Sequence, residues 1–385
     1  MGSFDIFCAV CSGSLKGVQI GSTNPRSLRR RHRHVNRWLR RYEAGIRHVS
    51  YEVEQQESED EQSEKSGDEE GDDDEVENDE DYEYSYDPEL VDEESVEWLD
   101  CFGCLGFNAE TRRAFVSGPA SYDDCSTIEA KKGDDPNYPG DGDLSLNAYH
   151  NFHDGSFPIH WSCFDILTRA LIGDANDSDL DKEALYDAMF KLSGDKRLCL
   201  DYGTISGPEQ FWESVPGEEF SASDPTEVPD FDELLNPTTA SEFLIPSANL
   251  SLEQKVAADP FDKFPQEILN LIFPYLPGES ILALRRASWR VYGATRPNIF
   301  WKQLIYREMP WFWELHEVIE ENKYPDLDLR SLYLWLDERT TPRYGLTGPF
   351  LGVANRRRIW GPCEEIAKQY HHQLQESEGS AAAAE

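Results

Sequence analysis

The sequence lacks the features that mark membrane-spanning proteins, secreted proteins and the common enzyme families. It has no apolar run near 18 residues, which a membrane-spanning helix requires. It also lacks the charged-then-apolar N-terminal pattern of a secretory signal peptide. We therefore expect an intracellular protein, cytoplasmic or nuclear or both, with no membrane partner. G-x-S-x-G, P-loop, dinucleotide-binding and H-E-x-x-H motifs are missing as well, so we expect no catalytic activity.

Positive charge is scarce. The 385 residues include 36 Lys and Arg against 75 Asp and Glu, which gives a formal net charge of −39. A general nucleic-acid-binding protein should be basic, so this balance argues against a nucleic-acid partner. Hydrophobic residues make up 39% of the chain, enough for two or three domains with buried cores. Eight cysteines in an intracellular chain favour free thiols or metal ligands over disulfides.

Two short motifs predict a metal site. Cys8 and Cys11 are separated by two residues, and Gly13 lets the backbone turn back toward both sulfurs. His160 and Cys163 are three apart at the start of an apolar, helix-like run, which places them on one helix face. A Cys-x-x-Cys turn combined with the first turn of a distant helix is the treble-clef arrangement. We therefore expect a structural zinc ion held by Cys8, Cys11, His160 and Cys163.

Two alternatives to this site are open from the sequence. Cys101 and Cys104 form a second Cys-x-x-Cys and could complete an all-cysteine site with Cys8 and Cys11. Their other interpretation is apolar filler on a short helix, because they lie among Trp98, Leu99 and other apolar residues. In that case His160 and Cys163 are the second ligand pair, or the chain binds no metal. His150 and His153 are spare candidates that we expect at the surface.

The stretch 259–307 predicts three short helices. Pro265 can occupy a first helical position, and Pro274 should end or kink the first helix early. Pro277 and Gly278 predict a turn, Ser280 can cap the second helix, and Pro297 precedes the third. The first helix is apolar on more than one face. A unit of roughly 50 residues has little interior for a second apolar face, which must then pack on the rest of the chain or on a partner.

The residue order of this stretch resembles an F-box. The family pattern of Pro-x-Glu-Ile-Leu, a Pro turn, Leu-Leu, Arg-x-x-Ser and a late Trp is matched from Pro265 to Trp301, including Arg285 and Ser288. The resemblance implies docking on a Skp-family adaptor, which links F-box proteins to a cullin–RING ubiquitin ligase, while the rest of the chain binds an unknown protein substrate. The residues it implies for adaptor binding are Phe264, Pro265, Ile268, Leu269, Ile272, Leu276, Pro277, Ile281, Leu282, Leu284 and Trp301.

Four other segments resemble a group of fungal F-box proteins. That group carries Phe-Cys-x-x-Cys-x-Gly, a Trp-Leu segment, Ser-Gly-Pro-x-x-Tyr-Asp-Asp and Pro-x-His-x-x-Cys before a helix. These correspond here to Phe7–Gly13, Trp98–Leu99, Ser117–Asp124 and Pro158–Cys163. Leu351–Trp360 is similar to the group as well. The resemblance implies the substrate-recognition subunit of an SCF-type ligase. The alternative is a zinc-bearing interaction module outside any ligase, whose F-box helices pack internally.

The predicted fold class is α+β, with a mainly helical F-box and C-terminal region and a small treble-clef-like zinc domain interrupted by an acidic loop. Strands are expected at Ala114–Ser117, Ser126–Glu129 and Leu198–Tyr202, with helices near 161–172 and 179–192. The predicted segments are 1–48 (zinc knuckle and Arg-rich segment), 49–97 (acidic disordered insertion), 98–220 (rest of the zinc domain), 221–258 (linker), 259–308 (F-box), 309–373 (C-terminal helices) and 374–385 (disordered tail).

Two arginine clusters have open interpretations. Residues 26–48 hold nine arginines, which fit either a nuclear-localisation or nucleic-acid patch or a solvated helix or loop. The 46 residues of Glu52–Glu97 that follow hold 25 Asp or Glu and one Lys, and such a segment should be disordered and could neutralise the arginines. Arg356, Arg357 and Arg358 fit a small anion site or a set of structural ion-pair donors.

Overall fold

The structure, a computed structural model, describes residues 5–43, 85–123, 127–149, 155–174, 177–235 and 258–384. The chain packs as two units. Unit 1 consists of Met1–Thr226 with Pro342–Glu385, and unit 2 of Glu227–Thr341. Among the helices of the described ranges, none is both long enough and apolar enough to cross a membrane. The predicted positions of His150 and His153, most of the acidic insertion and most of the linker lie outside the described residues.

Unit 1 combines helices with two small antiparallel sheets, in agreement with the predicted α+β class. One sheet has the strand order β2-β1-β6 and the other β3-β4-β5. The strands are β1 (Phe102–Asn108), β2 (Arg113–Val116), β3 (Ala120–Asp123), β4 (Thr127–Ala130), β5 (Leu144–Asn147) and β6 (Phe157–His160). The helices are α1 (Pro25–Glu43), α2 (Glu93–Val96), α3 (Trp161–Ile172), α4 (Lys182–Lys191) and α12 (Leu351–Ala384), with 3-10 turns at Glu97–Asp100, Asp177–Asp179 and Glu219–Ser221.

The central strand β1 fixes where α3 begins. Its residues are almost all buried, as expected for a strand paired on both edges. A Cβ on Gly103 would lie 2.5 Å from the Trp161 ring, so the missing side chain lets that ring lie against the strand. β6 pairs with β1, with His160 opposite Phe102, and α3 follows β6 without a loop. The last residue of β6 is therefore also the residue that precedes the first turn of α3.

Several predicted elements of unit 1 need correction. The strands at Ala114–Ser117 and Ser126–Glu129 are confirmed within one residue, but the strand at Leu198–Tyr202 is wrong. That segment has only one isolated bridge, between Ser193 and Leu198, and it buries Leu198 and Tyr202 from a loop. The short helix proposed around Cys101 and Cys104 is also wrong, because Cys104 lies on β1 between two paired strands.

The acidic insertion ends earlier than predicted. Residues 85–97 are ordered into unit 1, where Tyr86 is fully buried and forms a parallel bridge with Ile20. Val91 is buried as well. The apolar side chains among these last acidic residues supply buried surface that offsets the cost of ordering them. The predicted boundary at 97 therefore moves to about residue 85.

The C-terminal region 309–373 is divided between the two units. Residues up to Thr341 belong to unit 2, whereas α12 packs mainly on α3, α4 and the Glu219–Ser221 turn of unit 1. The tail predicted as disordered, 374–385, is helical as far as Ala384, where a run of alanines favours helix. The linker also starts later than 221, since Ser221 is buried in unit 1 and the short helix α5 (Phe231–Leu234) lies in unit 2.

All the secondary-structure elements of unit 2 are helices in the residues that the structure describes, and turns connect them. Its further helices are α6 (Gln266–Ile272), α7 (Gly278–Ala287), α8 (Trp289–Ala294), α9 (Asn298–Glu308), α10 (Trp313–Glu320) and α11 (Leu329–Thr340). Pro274 ends α6 early as predicted, and a 3-10 turn at Phe273–Tyr275 follows. The predicted cap at Ser280 is wrong, because α7 starts three residues sooner, after Pro277. The F-box-like stretch holds four helices rather than three, since α8 was not predicted.

Candidate metal centre and candidate docking surface

Four of the predicted ligands meet in unit 1. Cys8, Cys11, His160 and Cys163 are completely buried, and their ligand atoms all lie within 4.8 Å of one another. His160 Nδ1 lies 3.3 Å from Cys11 Sγ and 3.9 Å from Cys163 Sγ. The group can hold a metal ion. The structure therefore brings together the two motifs, 149 residues apart, that the sequence spacing singled out.

The turn that carries Cys8 and Cys11 is closed by its own backbone. The Ser12 N–H donates to Cys8 O and the Cys8 N–H to Gly13 O, while Ser12 takes a positive φ of 56°. The Gly13 N–H points at Cys11 Sγ from 3.2 Å. A Cβ at Gly13 would lie 3.0 Å from that sulfur, closer than nearly all real Cβ contacts. Glycine at this position lets the backbone donate to the sulfur at close range.

The second pair comes from the junction of β6 and α3. His160 Nε2 lies 2.8 Å from Ser14 O, and because a carbonyl only accepts, Nε2 carries the proton and donates it. In the neutral ring the lone pair is then on Nδ1, which faces the sulfurs. A backbone carbonyl that orients a ligating histidine in this way is a common feature of metal sites. Cys163 lies in the first turn of α3 and reaches the same point.

The four side chains of the site are buried and are covered by apolar side chains. The Trp98 ring packs edge-on against the His160 ring at 4.9 Å between centroids, and its indole N–H donates to Ala222 O. Leu99 is buried beside Gly13. These are the Trp-Leu residues of the resemblance, and they exclude water from one side of the cluster. Cys101 is exposed and Cys104 is buried on β1, and neither belongs to the metal-capable group.

The thiols and the imidazole shift one another's pKa values. Burial by itself raises the pKa of Cys8, but hydrogen bonds with Cys11 and Cys163 and the charge of His160 bring it well below the ordinary value. Burial lowers the pKa of His160, and the Cys8 and Cys11 sulfurs raise it well above normal. Burial and the same sulfurs raise the pKa of Cys163. The buried negative charge of the cluster therefore needs a cation at its centre, either a proton or a metal.

The described part of the Arg-rich segment forms α1, and the buried arginine of this helix has a structural role. Arg31 is completely buried and donates to Ser85 O and Ser85 Oγ. On the next residue of α1, His32 Nε2 lies 2.7 Å from Asp87 Oδ2. Together with Glu89 these two residues form a second group that could hold a metal, but it is partly exposed and its contacts are those of an ion pair. The group fastens residues 85–89 to α1.

The F-box-like pattern of unit 2 is a set of side chains that touch one another. The Arg285 guanidinium lies 5.3 Å from the centre of the Trp301 ring, and the Trp301 indole N–H donates to Thr295 O. Ser288 caps α8 by accepting from the Val291 N–H, and its hydroxyl donates to Asp259 Oδ2. The Arg-x-x-Ser and Trp positions of the pattern thus hold α7, α8 and α9 together.

The predicted adaptor-binding residues divide into three groups by burial. Leu269, Ile281 and Trp301 form the core of unit 2 and cannot contact a partner in this arrangement. Leu269 is 1% exposed. The exposed members are Pro265, Ile268, Ile272 and Pro277, and the half-buried members are Phe264, Leu276, Leu282 and Leu284.

Among the described residues of unit 2, the apolar side chains with the highest exposed fraction lie outside the predicted adaptor-binding set. Leu271 is 66% exposed, Tyr275 87% and Ile299 61%. An open groove of about 710 Å³ is lined by Phe273, Pro274 and residues of α9, including Ile299. The sequence signal for this surface was the second apolar face of the first helix. The pattern could not assign which face turns inward, because both faces are apolar.

Comparisons of this chain with family models, with curated proteins and with solved structures found no match.

Proposed function

We propose that this protein is the substrate-recognition subunit of an SCF-type cullin–RING ubiquitin ligase. Unit 2 docks on a Skp-family adaptor, and other parts of the chain bind an unidentified protein substrate. One observation carries the proposal. α6 and α9 contribute Leu269 and Trp301 to the core of unit 2, yet Leu271 on α6, Ile299 on α9 and Tyr275 on the 3-10 turn after α6 are exposed, and an open groove is lined in part by Ile299. An exposed apolar surface of this kind is typical of a protein interface.

The test is co-elution of the full chain with a purified Skp-family adaptor. We expect the wild type to co-elute and the double variant Leu271→Asp with Ile299→Asp to elute alone, because two buried carboxylates would face the adaptor without partners. Phe211→Asp is the matched control, an exposed apolar residue of unit 1 that should keep binding. Circular dichroism checks that all variants are folded. A folded wild type that fails to co-elute would refute adaptor docking.

The alternative is an interaction module outside any ligase, with its F-box-like helices packed internally. The burial of Leu269, Ile281 and Trp301 favours it, since three residues implied for adaptor contact serve the core of unit 2 instead. This alternative predicts that the wild type does not bind the adaptor, whereas affinity purification still retrieves a protein partner whose binding depends on unit 1.

We further propose that Cys8, Cys11, His160 and Cys163 hold a structural zinc ion. Three thiolates and one imidazole are a donor set that zinc takes in structural sites, with all four positions filled by protein and none left for a substrate. The ion replaces the protons that the buried sulfurs would otherwise share and fastens the 8–14 turn to the start of α3. No catalytic role follows from such a site.

Zinc content tests this site and separates it from the all-cysteine alternative. We expect one zinc per wild-type chain by elemental analysis, and little or none in Cys163→Ser. Cys101→Ser is the matched control because that thiol is exposed and lies outside the cluster. Retention of zinc by Cys163→Ser together with its loss from Cys101→Ser would assign the ligands to the four cysteines instead. A zinc-free wild type purified without chelator would refute the site.

A further inference from the structure

Arg358, on the second turn of α12, reaches the backbone of the metal-binding turn. Its side chain is nearly completely buried, and Nη1 donates to Cys11 O at 2.7 Å and to Tyr202 O at 3.3 Å. Cys11 O is the carbonyl of one of the four candidate ligands, 347 residues earlier in the chain. The sequence suggested an anion site or an ion pair for this arginine. Its main-chain partners are carbonyls of two separate segments, and its charge also acts on the buried Glu218 carboxyl, where it opposes the rise in pKa that burial causes.

A second side chain of α12 orients this guanidinium. Asn355 Oδ1 accepts from Arg358 Nη2 at 2.8 Å and from Arg358 Nε at 3.1 Å. The Asn355 amide donates in turn to Ser223 O at 2.8 Å and to Ser221 O at 3.3 Å. Both side chains are fixed by these contacts, so Arg358 approaches the Cys11 carbonyl in one defined orientation. The same pair links α12 to the Glu219–Ser221 turn.

The charge of the contact suits the thiolate form of the cluster. Three thiolates and one divalent ion leave a net charge of −1 on the cluster, and the guanidinium is a permanent buried cation beside it. A charged donor at 2.7 Å fixes the peptide that carries Cys11 Sγ, next to the left-handed Ser12. α12 also packs on α3, which has His160 as its cap residue and Cys163 in its first turn. The helix α12 therefore contacts both the turn that carries Cys11 and the helix that carries Cys163.

We propose that Arg358 is a positioning residue for the metal centre, which couples metal occupancy to the docking of α12. The inference rests on the zinc site proposed above. Arg358 holds the Cys11 turn in its ligating conformation, so a docked α12 raises the affinity for zinc. By thermodynamic reciprocity, bound zinc strengthens the docking of α12 by the same factor. Removal of the metal then loosens the first turns of α12 and the 219–225 segment, as well as the ligand turn.

The test compares the full chain with Arg358→Met, which keeps the apolar stem but removes every donor. Arg357→Met is the matched control on the next residue, which is only half-buried. Zinc affinity is measured by competition with a chromophoric chelator. We expect Arg358→Met to bind zinc about 10- to 100-fold more weakly, the range found when outer partners of metal ligands are removed. Arg358→Lys should recover part of this loss, and Arg357→Met should match the wild type within about twofold.

Two further measurements separate positioning from a general loss of stability. The absorption of the cobalt-substituted chain reports ligand geometry directly, and we expect it to change in Arg358→Met but not in Arg357→Met. Hydrogen exchange of the wild type is measured before and after chelation of the metal. We expect faster exchange after chelation in residues 351–361 and 219–225, as well as in 6–15. If Arg358→Met does not fold, Asn355→Ala provides the same comparison, because it releases the guanidinium without removing it.

The outcomes distinguish the two proposals. A wild-type chain without zinc refutes the metal site, and the coupling falls with it. A zinc-bound wild type with unchanged affinity in both Arg358→Met and Asn355→Ala refutes the coupling alone. So does a chelation response confined to residues 6–15 and 157–172. Weaker zinc binding with an altered cobalt spectrum and an exchange response that reaches α12 supports it.

Discussion

Two leucines on α6 allow stability and binding to be tested separately. Leu269 is 1% exposed and Leu271 is 66% exposed, although they are the same residue type two positions apart on one helix. Replacing each by Ala removes the same atoms and leaves the helix propensity nearly unchanged. A difference in stability between the two variants therefore reports burial of the leucine, and a difference in adaptor affinity reports contact with the partner.

The expected magnitudes differ widely. Leu269→Ala removes a fully buried side chain and leaves a cavity in the core of unit 2, which costs about 2–5 kcal/mol. Leu271→Ala changes an exposed position and should stay within about 0.5 kcal/mol. For adaptor binding the order reverses: Leu271→Ala should weaken affinity about fivefold or more, the effect of losing about 1 kcal/mol from an interface.

Hydrogen exchange of the full chain measures the first effect within unit 2 alone. Peptides from residues 266–308 should exchange about 30-fold faster or more in Leu269→Ala, since each 1.4 kcal/mol is a factor of ten. The same peptides should be unchanged in Leu271→Ala. Titration calorimetry with the adaptor measures the second effect. Equal destabilisation by both variants would show that Leu271 is also a core residue, and the exposed surface on which adaptor docking rests would not exist.

The other predictions concern buried polar contacts of unit 2. Hydrogen bonds from the Arg290 N–H and the Ser288 hydroxyl outweigh burial and lower the pKa of Asp259. Its stabilising contribution is therefore complete above pH of about 4, the ordinary Asp pKa, and is lost as pH falls through the lower folded value. Acid unfolding of unit 2 should be shallower in Asp259→Asn, and an identical pH profile would contradict this assignment. Trp301→Phe removes the donor to Thr295 O and should destabilise unit 2 by about 1–3 kcal/mol in urea unfolding. Because Trp301 is buried, adaptor affinity of the folded variant should not change, and a loss there would place Trp301 in the interface.

The metal-capable cluster was accessible to sequence reasoning because each half is local. Cys8, Cys11 and Gly13 define a turn by their spacing, and His160 and Cys163 mark a helix start by theirs. What spacing cannot supply is the pairing of the halves, since it depends on β1 and β6 bringing the start of α3 to the turn. The pairing was chosen for its similarity to a known arrangement, and β1 itself was missed.

The errors have specific physical causes. The run around Cys101 and Cys104 is short and apolar, and such a run fits a buried strand as well as a helix. The residues at Leu198–Tyr202 have strand-like composition, but β propensity has no effect without a neighbouring strand to pair with. In both cases tertiary pairing decides the element, and a single sequence does not contain it.

Contacts to backbone carbonyls were also beyond the sequence. Arg358 and Asn355 bind the carbonyls of Cys11, Ser221 and Ser223, and a carbonyl is present on every residue. No residue type on the partner side marks such a contact. The sequence shows three consecutive arginines on α12, which marks them as candidates for a specific role. Their partners can be identified only in the folded chain.

The distance in sequence between Cys11 and Arg358 has a consequence for biosynthesis. The ribosome adds about 5–20 residues per second, so roughly 20–70 s separate the synthesis of the cysteine turn from that of the arginine that holds it. Unit 2, which is continuous from Glu227 to Thr341, is made within that interval. His160 follows Cys11 by 149 residues and is made before unit 2, whereas α12 is made after it. Until His160 and Cys163 are made, the Cys8 and Cys11 thiols of the nascent chain are open to oxidation and to competing metals, and until α12 is made the Cys11 turn lacks the Arg358 contact.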